Sequence, residues 1–225
     1  SWEQSTQARY WIFSTDQIAR LQQETLASNI SEVKKLYQEA ISSQDPSVKG
    51  IVPPTAWLSV EENNQLVLKA AWKIFSTVEA CRLPLAVEAT AISLLKRFYL
   101  VHSALVLDPE HLAPSALMLA CKLEECHAPV DMLCMKGKWT SESMFKHEIT
   151  LLNGINFHAT VYSPFRALIG WATQMREETR PLLIEGSIFS GDESKIDAFL
   201  GDFLEEVSEV LQCWWLCTDA SFLAS

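Results

Sequence analysis

Apolar residues recur at three- and four-residue spacing along most of the sequence, a pattern that predicts amphipathic helices rather than strands. The first long helix is predicted to begin after Ser14, because Ser14 and Gln17 have the S-x-x-Q spacing of a helix-capping box. A second, shorter amphipathic helix is predicted at about 31–41. Residues 42–55 contain three prolines and a glycine, so they predict a loop before the main helical block.

The middle of the chain predicts five consecutive helices, enough to enclose a hydrophobic core. Ser59 and Glu62 form a second capping-box pattern at the start of this block. Pro84 and Pro109 mark the starts of later helices, since proline is favoured in the first helical turn. The segment 115–123 is apolar nearly all round, which is typical of a helix buried in the middle of a domain. The five helices are expected at about 59–80, 84–100, 109–123, 130–135 and 142–155.

The residues after Ser163 predict a second, smaller block of helices. Ser163 is a favourable N-cap and is followed by Pro164, so one helix is expected from there to about Met175. A longer helix is expected at about 193–216, where apolar residues again recur every three or four positions. We therefore predict an all-α chain in three parts: an N-terminal helical extension and loop (1–56), a complete helical domain (57–160) and an incomplete second helical block (161–225).

The composition agrees with a packed, acidic helical protein. Of the 225 residues 48% are hydrophobic and only seven are glycine, which favours a hydrophobic core and long helices. The formal net charge of −10 disfavours direct binding to nucleic acid, whose phosphates would be repelled. No apolar run approaches the roughly 18 residues of a membrane span and no signal-peptide pattern occurs, so no membrane association is expected. The six cysteines form no C-x-x-C pair and indicate a reducing compartment.

Catalytic and metal-binding patterns do not occur in the sequence. It contains none of the common phosphate-loop, zinc-protease or serine-hydrolase motifs, so we expect no catalytic residue and no cofactor. Cys126, His127 and Cys134 lie close together, but the fourth ligand that a zinc site needs is absent, so no metal site is expected. The basic pair Lys96-Arg97 is expected to be solvated or stacked at the surface rather than to form a nucleic-acid patch.

Two charged residues stand out because they interrupt apolar helical patterns. Lys122 ends the apolar run of one predicted helix, at a C-terminal position where the helix dipole favours a lysine. Glu148 falls on the apolar side of another helix, and a carboxylate there is costly unless it is paired. One interpretation is an ion pair within the domain, for which Lys122 is a candidate partner of Glu148; the other is a pair of surface charges that await another protein. The spacing alone favours the first. The apolar residues on the side of Glu148 are Met144, Phe145, Leu151, Leu152 and Ile155.

Three sequence blocks together resemble the cyclin box. They are K-R-F-Y-L at 96–100, L-A-C-K-L-E-E at 119–125, and Glu148 nine residues before Phe157, in the order that the family has and on predicted helices. The resemblance covers about 59–157. The linker of transcription-type cyclins is similar to the Y-S-P-F-R stretch that follows at 162–166.

For the fold, the resemblance implies two stacked five-helix repeats, here one complete cyclin box and a truncated second repeat. It also implies that the first repeat binds the regulatory helix of a cyclin-dependent kinase. Lys122 and Glu148 match the paired lysine and glutamate of the family, which favours the interpretation of surface charges awaiting a partner. Their apolar neighbours Leu119, Leu123 and Leu152 match contact positions of the family.

The subtype indicated is a cyclin of the transcription and kinase-activating type. Residues 5–14 and the N-F-H at 156–158 are similar to cyclin H, whereas the D-P at 108–109 and the L-A-P at 112–114 are nearer to cyclin C. A cyclin H-like chain would be a nuclear regulatory subunit of the CDK-activating kinase, not itself an enzyme. Its partners would be a cyclin-dependent kinase, a RING-type assembly factor and TFIIH, in transcription and cell-cycle control. The alternatives are a cyclin C-like subunit of the Mediator kinase and, less favoured, a TFIIB-like DNA-binding factor.

Overall fold

The computed structural model describes residues 2–42, 56–163, 165–185, 194–195, 198–203 and 205–206. The chain divides into two compact units, with Ser1–Val161 in the first and the second beginning at Tyr162. Throughout the described ranges every regular element is a helix, as the apolar spacing predicted. A 3-10 helix at Trp2–Gln4 is followed by α1 (Thr6–Tyr10), α2 (Thr15–Ser42), α3 (Val60–Cys81), α4 (Leu85–Val101), α5 (Pro109–Leu123), α6 (Val130–Gly137), α7 (Ser141–Lys146), α8 (Glu148–Gly154) and α9 (Phe165–Glu185).

The N-terminal helix α2 begins at the predicted capping box. Gln17 donates its backbone N–H to Ser14 Oγ at 3.3 Å, and Ser14 donates its N–H to Gln17 Oε1 at 2.8 Å. The prediction of a separate helix at 31–41 was wrong: α2 continues to Ser42, because the stretch between the two predicted helices contains no proline or glycine to end it. The loop predicted at 42–55 lies, beyond Ser42, outside the described residues.

The centre of the first unit is α4, which other helices surround. Every residue from Val87 to Leu100 is buried, and α2, α3, α5 and α8 pack around them. The helix α3 begins at the second predicted capping box, where Ser59 and Glu62 exchange hydrogen bonds of 2.8 and 3.1 Å between backbone and side chain. The helix α5, predicted to be buried, packs against α3, α4, α7 and α8. The core of this unit therefore lies among α3, α4 and α5.

Arg97 of α4 is buried, and the expectation that the Lys96-Arg97 pair would lie at the surface was wrong. Its Nη1 donates to the carbonyl oxygens of His158 at 2.8 Å and Thr160 at 3.0 Å. Its Nη2 donates to Gln7 Oε1 at 3.0 Å. These acceptors replace water, so a buried guanidinium is tolerated. Burial lowers the pKa of Arg97 to about 10, and the group stays charged at neutral pH.

The helix predicted at 142–155 is divided into α7 and α8 at His147. In a continuous α-helix the N–H of His147 would bond to the carbonyl of Ser143. The hydroxyl of Ser115, on α5, lies between these two groups: it donates to the Ser143 carbonyl at 2.9 Å and accepts the His147 N–H at 3.2 Å. The prediction of one helix was therefore wrong, because a side chain from another helix inserts into its hydrogen-bond ladder.

The second unit is described mainly by α9. This helix runs to Glu185, ten residues beyond the predicted end at Met175. Pro164, predicted in its first turn, lies outside the described residues. Of the helix predicted at 193–216, the described residues are helical and the others lie outside the described ranges. The truncated second repeat and the three-part division of the chain therefore stay predictions.

Candidate functional site

An ion pair joins the end of α5 to the start of α8. Lys122 Nζ lies 2.7 Å from each carboxylate oxygen of Glu148. The pair is at the surface, since 44% of the Lys122 side chain and 19% of the Glu148 side chain are exposed. The structure therefore contains the intradomain pair of one sequence interpretation and leaves that pair accessible, as the other interpretation requires.

The helix ends explain why these two charges stand where they do. Lys122 is in the last turn of α5, where the partial negative charge of a helix C-terminus favours a cation. Glu148 is in the first turn of α8, where the partial positive charge of a helix N-terminus favours a carboxylate. Each charge is thus held at a helix end that attracts it, and the hydrogen bonds between them fix their relative position.

Large apolar side chains at the helix ends that carry the ion pair are exposed. Leu123 follows Lys122 and is 42% exposed, and Ile149 follows Glu148 and is 63% exposed. The ring centroid of Phe145 lies 5.5 Å from Lys122 Nζ, within the range of a cation–π contact, and this ring is 45% exposed. Exposed apolar groups around a charge pair are typical of a protein-binding surface. We call this set the ion-pair surface; it consists of Lys122, Leu123, Phe145, Glu148, Ile149 and Leu152.

The ion pair keeps hydrogen-bonding capacity for another molecule. An ammonium group has three N–H donors, and the contacts to Glu148 use at most two of those on Lys122. A carboxylate offers roughly four lone-pair positions, of which Lys122 occupies a part. A protein partner can therefore bond to either side chain without first separating the two charges.

The predicted apolar contact residues differ in how much surface they offer. Leu123 is 42% exposed, whereas Leu152, four residues after Glu148 on α8, is half-buried. Leu119 is only 4% exposed and belongs to the core beneath, so it offers a partner little area. The structure adds Phe145, which the sequence placed on the buried side of one continuous helix, and Ile149, which the sequence did not single out. No local signal marks the break between α7 and α8, because the hydroxyl that occupies it belongs to α5.

An open cleft of about 660 Å³ adjoins the ion pair at the end of α5. Lys122 borders it, so the same side chain stands between the ion-pair surface and a concave surface that can receive side chains of a partner. The cleft extends along the connection from α5 towards α6. Its lining includes Met118, Cys121, Lys122, Cys126, His127 and Pro129.

Metal ligation finds no support in the part of the chain that the structure describes. No three histidine, cysteine or acidic side chains there lie close enough to hold an ion. Cys126 and Cys134 are free cysteines. Burial raises the pKa of Cys121 to about 12, so this thiol is protonated at neutral pH and is a poor ligand. Among the described helices none is both long and apolar enough to cross a membrane.

Comparison with protein families gives one match that includes the ion pair. Residues 59–160 match the family model described as Cyclin, N-terminal domain. The matched range extends from the start of α3 past the end of α8, and so contains Lys122, Glu148 and the whole ion-pair surface.

Named relatives share about a quarter to a third of the aligned residues. Cyclin CCL1 of Saccharomyces cerevisiae is 31% identical over 170 residues, which cover 74% of this chain and 43% of that protein. A protein named putative cyclin-H, from Dictyostelium discoideum, is 27% identical over 179 residues, covering 80% of this chain and 58% of that protein. The chain thus spans about half the length of the curated relatives it matches.

Two solved complexes contain chains of similar fold. One is the CAK complex from Chaetomium thermophilum bound to ATP-gamma-S, with a TM-score of 0.76, 22% identity, and coverage of 100% of this chain and 64% of that one. The other is the yeast TFIIK (Kin28/Ccl1/Tfb3) complex, with a TM-score of 0.60, 24% identity, and coverage of 99% of this chain and 80% of that one. At this level of identity the likeness concerns the fold.

Proposed function

We propose that this chain, which belongs to the cyclin family, is a cyclin H-like regulatory subunit that binds and activates a cyclin-dependent kinase and performs no catalysis itself. The observation that carries the proposal is the accessible Lys122–Glu148 pair, set among exposed apolar side chains within the cyclin N-terminal domain. The relatives named cyclin CCL1 and putative cyclin-H support the subtype.

The ion-pair surface would bind the regulatory helix of the kinase. Leu123, Phe145 and Ile149 supply apolar area that is exposed in the free chain and can be buried in a complex. Lys122 and Glu148 supply the remaining donors and acceptors, which would fix the orientation of the partner helix. Leu152 contributes at the edge, while Leu119 supports the surface from the core.

Activation would follow from a difference in affinity between two kinase conformations. A kinase of this class requires its regulatory helix in one position for catalysis. A surface that binds this position more tightly than the inactive one shifts the equilibrium towards the active kinase. The rigidity of the surface matters here, and α5 provides it because its core-facing residues are buried against α3 and α4.

The wider assembly is proposed from the fold likeness. The solved TFIIK complex consists of Kin28, Ccl1 and Tfb3. A chain of that complex and a chain of the CAK complex have folds similar to that of this chain. We accordingly propose a complex of this chain with a kinase and a RING-type assembly factor, association with TFIIH, and a nuclear location. The open cleft beside Lys122 is a second surface that such a three-part complex could cover.

The test is a charge reversal of Glu148 in the 225-residue chain, followed by kinase pull-down and activity measurement. Glu148→Lys should weaken kinase binding by about 2–5 kcal/mol, because it places two positive charges together at the interface. Glu110→Lys is a matched control, since Lys69 and Glu110 form another exposed ion pair between helices, at 2.6 Å. Full binding and activation by Glu148→Lys would refute the proposal.

A cyclin C-like subunit of the Mediator kinase is the second candidate, favoured by the D-P at 108–109 and the L-A-P at 112–114. Both candidates use the same ion-pair surface, so the Glu148 variant does not separate them. Mass spectrometry of the complex purified from its native cell separates them by the kinase and the further subunits that accompany the chain.

A further inference from the structure

One buried hydroxyl stands where a helical hydrogen bond is missing. Ser115 is completely buried in α5. Its Oγ donates to the Ser143 carbonyl at 2.9 Å and accepts the His147 N–H at 3.2 Å. These are the two backbone groups that would bond to each other in a continuous helix. The hydroxyl therefore satisfies both groups and keeps them apart at the same time.

The backbone changes direction at this point. His147 has φ −110° and ψ 11°, away from the helical values near −63° and −42°. Its N–H also points to the carbonyl of Phe145, while its own carbonyl accepts the N–H of Leu151 at 2.9 Å and so begins α8. Glu148 is consequently the first residue of a new helix rather than a residue in the middle of an old one.

The helix α5 carries both Ser115 and Lys122. Ser115 and Lys122 are seven residues apart on α5, which is two turns and about 10 Å along the axis. Residues at this spacing lie on one side of a helix. The position of Glu148 relative to Lys122 is thus set by one rigid element that bonds to the chain on each side of the break.

We propose that Ser115 is a positioning residue for partner binding: its hydroxyl separates α7 from α8 and thereby holds Glu148 opposite Lys122. This inference rests on the proposed function only for its consequence, kinase binding. The position of Glu148 relative to Lys122 is a property of the free chain, so it can be tested without the kinase.

The variant that tests it is Ser115→Ala, which removes the hydroxyl and leaves Ser143 and His147 free to bond directly. We expect α7 and α8 to merge, the coupling between Lys122 and Glu148 in a double-mutant cycle of unfolding to disappear, and kinase affinity to fall about tenfold. Ser115→Thr keeps a hydroxyl and should restore the coupling.

Ser93→Ala is the matched control, since Ser93 Oγ is also buried but has no hydrogen-bond partner in the described part of the chain. This variant should change kinase affinity less than twofold.

The outcomes separate the two proposals. If Ser115→Ala keeps the full Lys122–Glu148 coupling, the positioning role is wrong, whatever Glu148→Lys does to kinase binding. If the coupling is lost while Glu148→Lys still binds and activates the kinase, the positioning role is upheld and the proposed function fails. Should Ser115→Ala not fold, Ser115→Cys takes its place, because it keeps the size and weakens both hydrogen bonds; unchanged coupling in that variant would overturn the inference.

Discussion

The guanidinium of Arg97 lies over the ring of Trp11, with its central carbon 5.3 Å from the ring centroid. The two residues are 86 positions apart in sequence, and the contact holds the N-terminal segment against α4. Trp11 is itself buried, and its Nε1 donates to His158 Nδ1 at 3.2 Å. The chain before α2 and the chain after α8 therefore meet at one buried charge in the first unit.

Replacing Arg97 by a residue of similar length without donors should destabilise the first unit strongly. Arg97→Met removes the donors to the carbonyl oxygens of His158 and Thr160 and to Gln7 Oε1, at a cost of about 2–4 kcal/mol. Urea unfolding followed by circular dichroism measures this. Arg20→Met, at an exposed position of α2, is the control and should stay within about 0.5 kcal/mol of the wild type. Equal effects of the two variants would contradict the buried network.

The ion-pair surface and the core beneath it should respond differently to truncation. Leu119→Ala removes a side chain that is 4% exposed and should cost about 2–5 kcal/mol of folding stability. Ile149→Ala removes an exposed side chain; stability should change by less than about 0.5 kcal/mol, whereas kinase affinity should fall by more than about 1 kcal/mol. Unfolding and kinase-binding titrations on the same samples give both quantities.

The control for Ile149 is another exposed apolar side chain away from the ion pair. Met135, on α6, is 70% exposed, and Met135→Ala should alter neither stability nor kinase affinity appreciably. If Ile149→Ala binds the kinase as tightly as Met135→Ala does, Ile149 does not belong to the binding surface.

Signals that act within a few residues were predicted correctly. The capping boxes at Ser14 and Ser59 are confirmed because their hydrogen bonds join residues three positions apart. The all-helical class follows from the same kind of local information, since apolar spacing reports which side of a helix is buried. The pairing of Lys122 with Glu148 was foreseen as one of two interpretations, because an isolated carboxylate in an apolar pattern needs a partner.

Features whose cause lies far away in sequence were not predicted. Two of the acceptors that bond to the buried Arg97 guanidinium lie 61 and 63 residues later in the chain. The residues next to Arg97 in sequence therefore gave no sign that it is buried. The break between α7 and α8 is occupied by the hydroxyl of Ser115, which lies 28 residues before Ser143, so no signal near the break in sequence marks it. Tertiary contacts override local propensity at these places, and one such place shapes the candidate site.

A buried carboxyl in α4 should make stability depend on pH. Glu88 is 2% exposed, and its Oε1 has no hydrogen-bond partner among the described residues. Burial, with a smaller effect of the Glu79 charge, raises the pKa of Glu88 from 4.5 to about 7. The folded state thus holds this proton more tightly than the unfolded state does, so the stabilising effect is complete below pH 4.5 and is lost as pH rises through 7.

Glu88→Gln removes this titration while keeping the shape of the side chain. Its stability relative to the wild type should increase by about 2 kcal/mol between pH 5.5 and pH 8, measured by urea unfolding at both values. Glu24→Gln, an exposed position on α2, should show no such trend. A wild-type difference that is the same at both pH values would show that Glu88 does not titrate in this range.

Exchanging the two charges of the ion pair separates its role in the fold from its role in binding. Glu148→Lys alone places like charges together, and we expect a loss of about 0.5–1 kcal/mol of stability, since the pair is partly exposed. Adding Lys122→Glu recreates an ion pair and should recover part of that loss, the remainder reflecting charges now placed at unfavourable helix ends. Kinase binding should not recover, because the partner helix would meet each charge in the wrong place. Urea unfolding and kinase titration of the two single variants and the double variant measure both effects. Recovery of binding together with stability would mean that the pair serves only the fold, and that a partner recognises the apolar side chains around it.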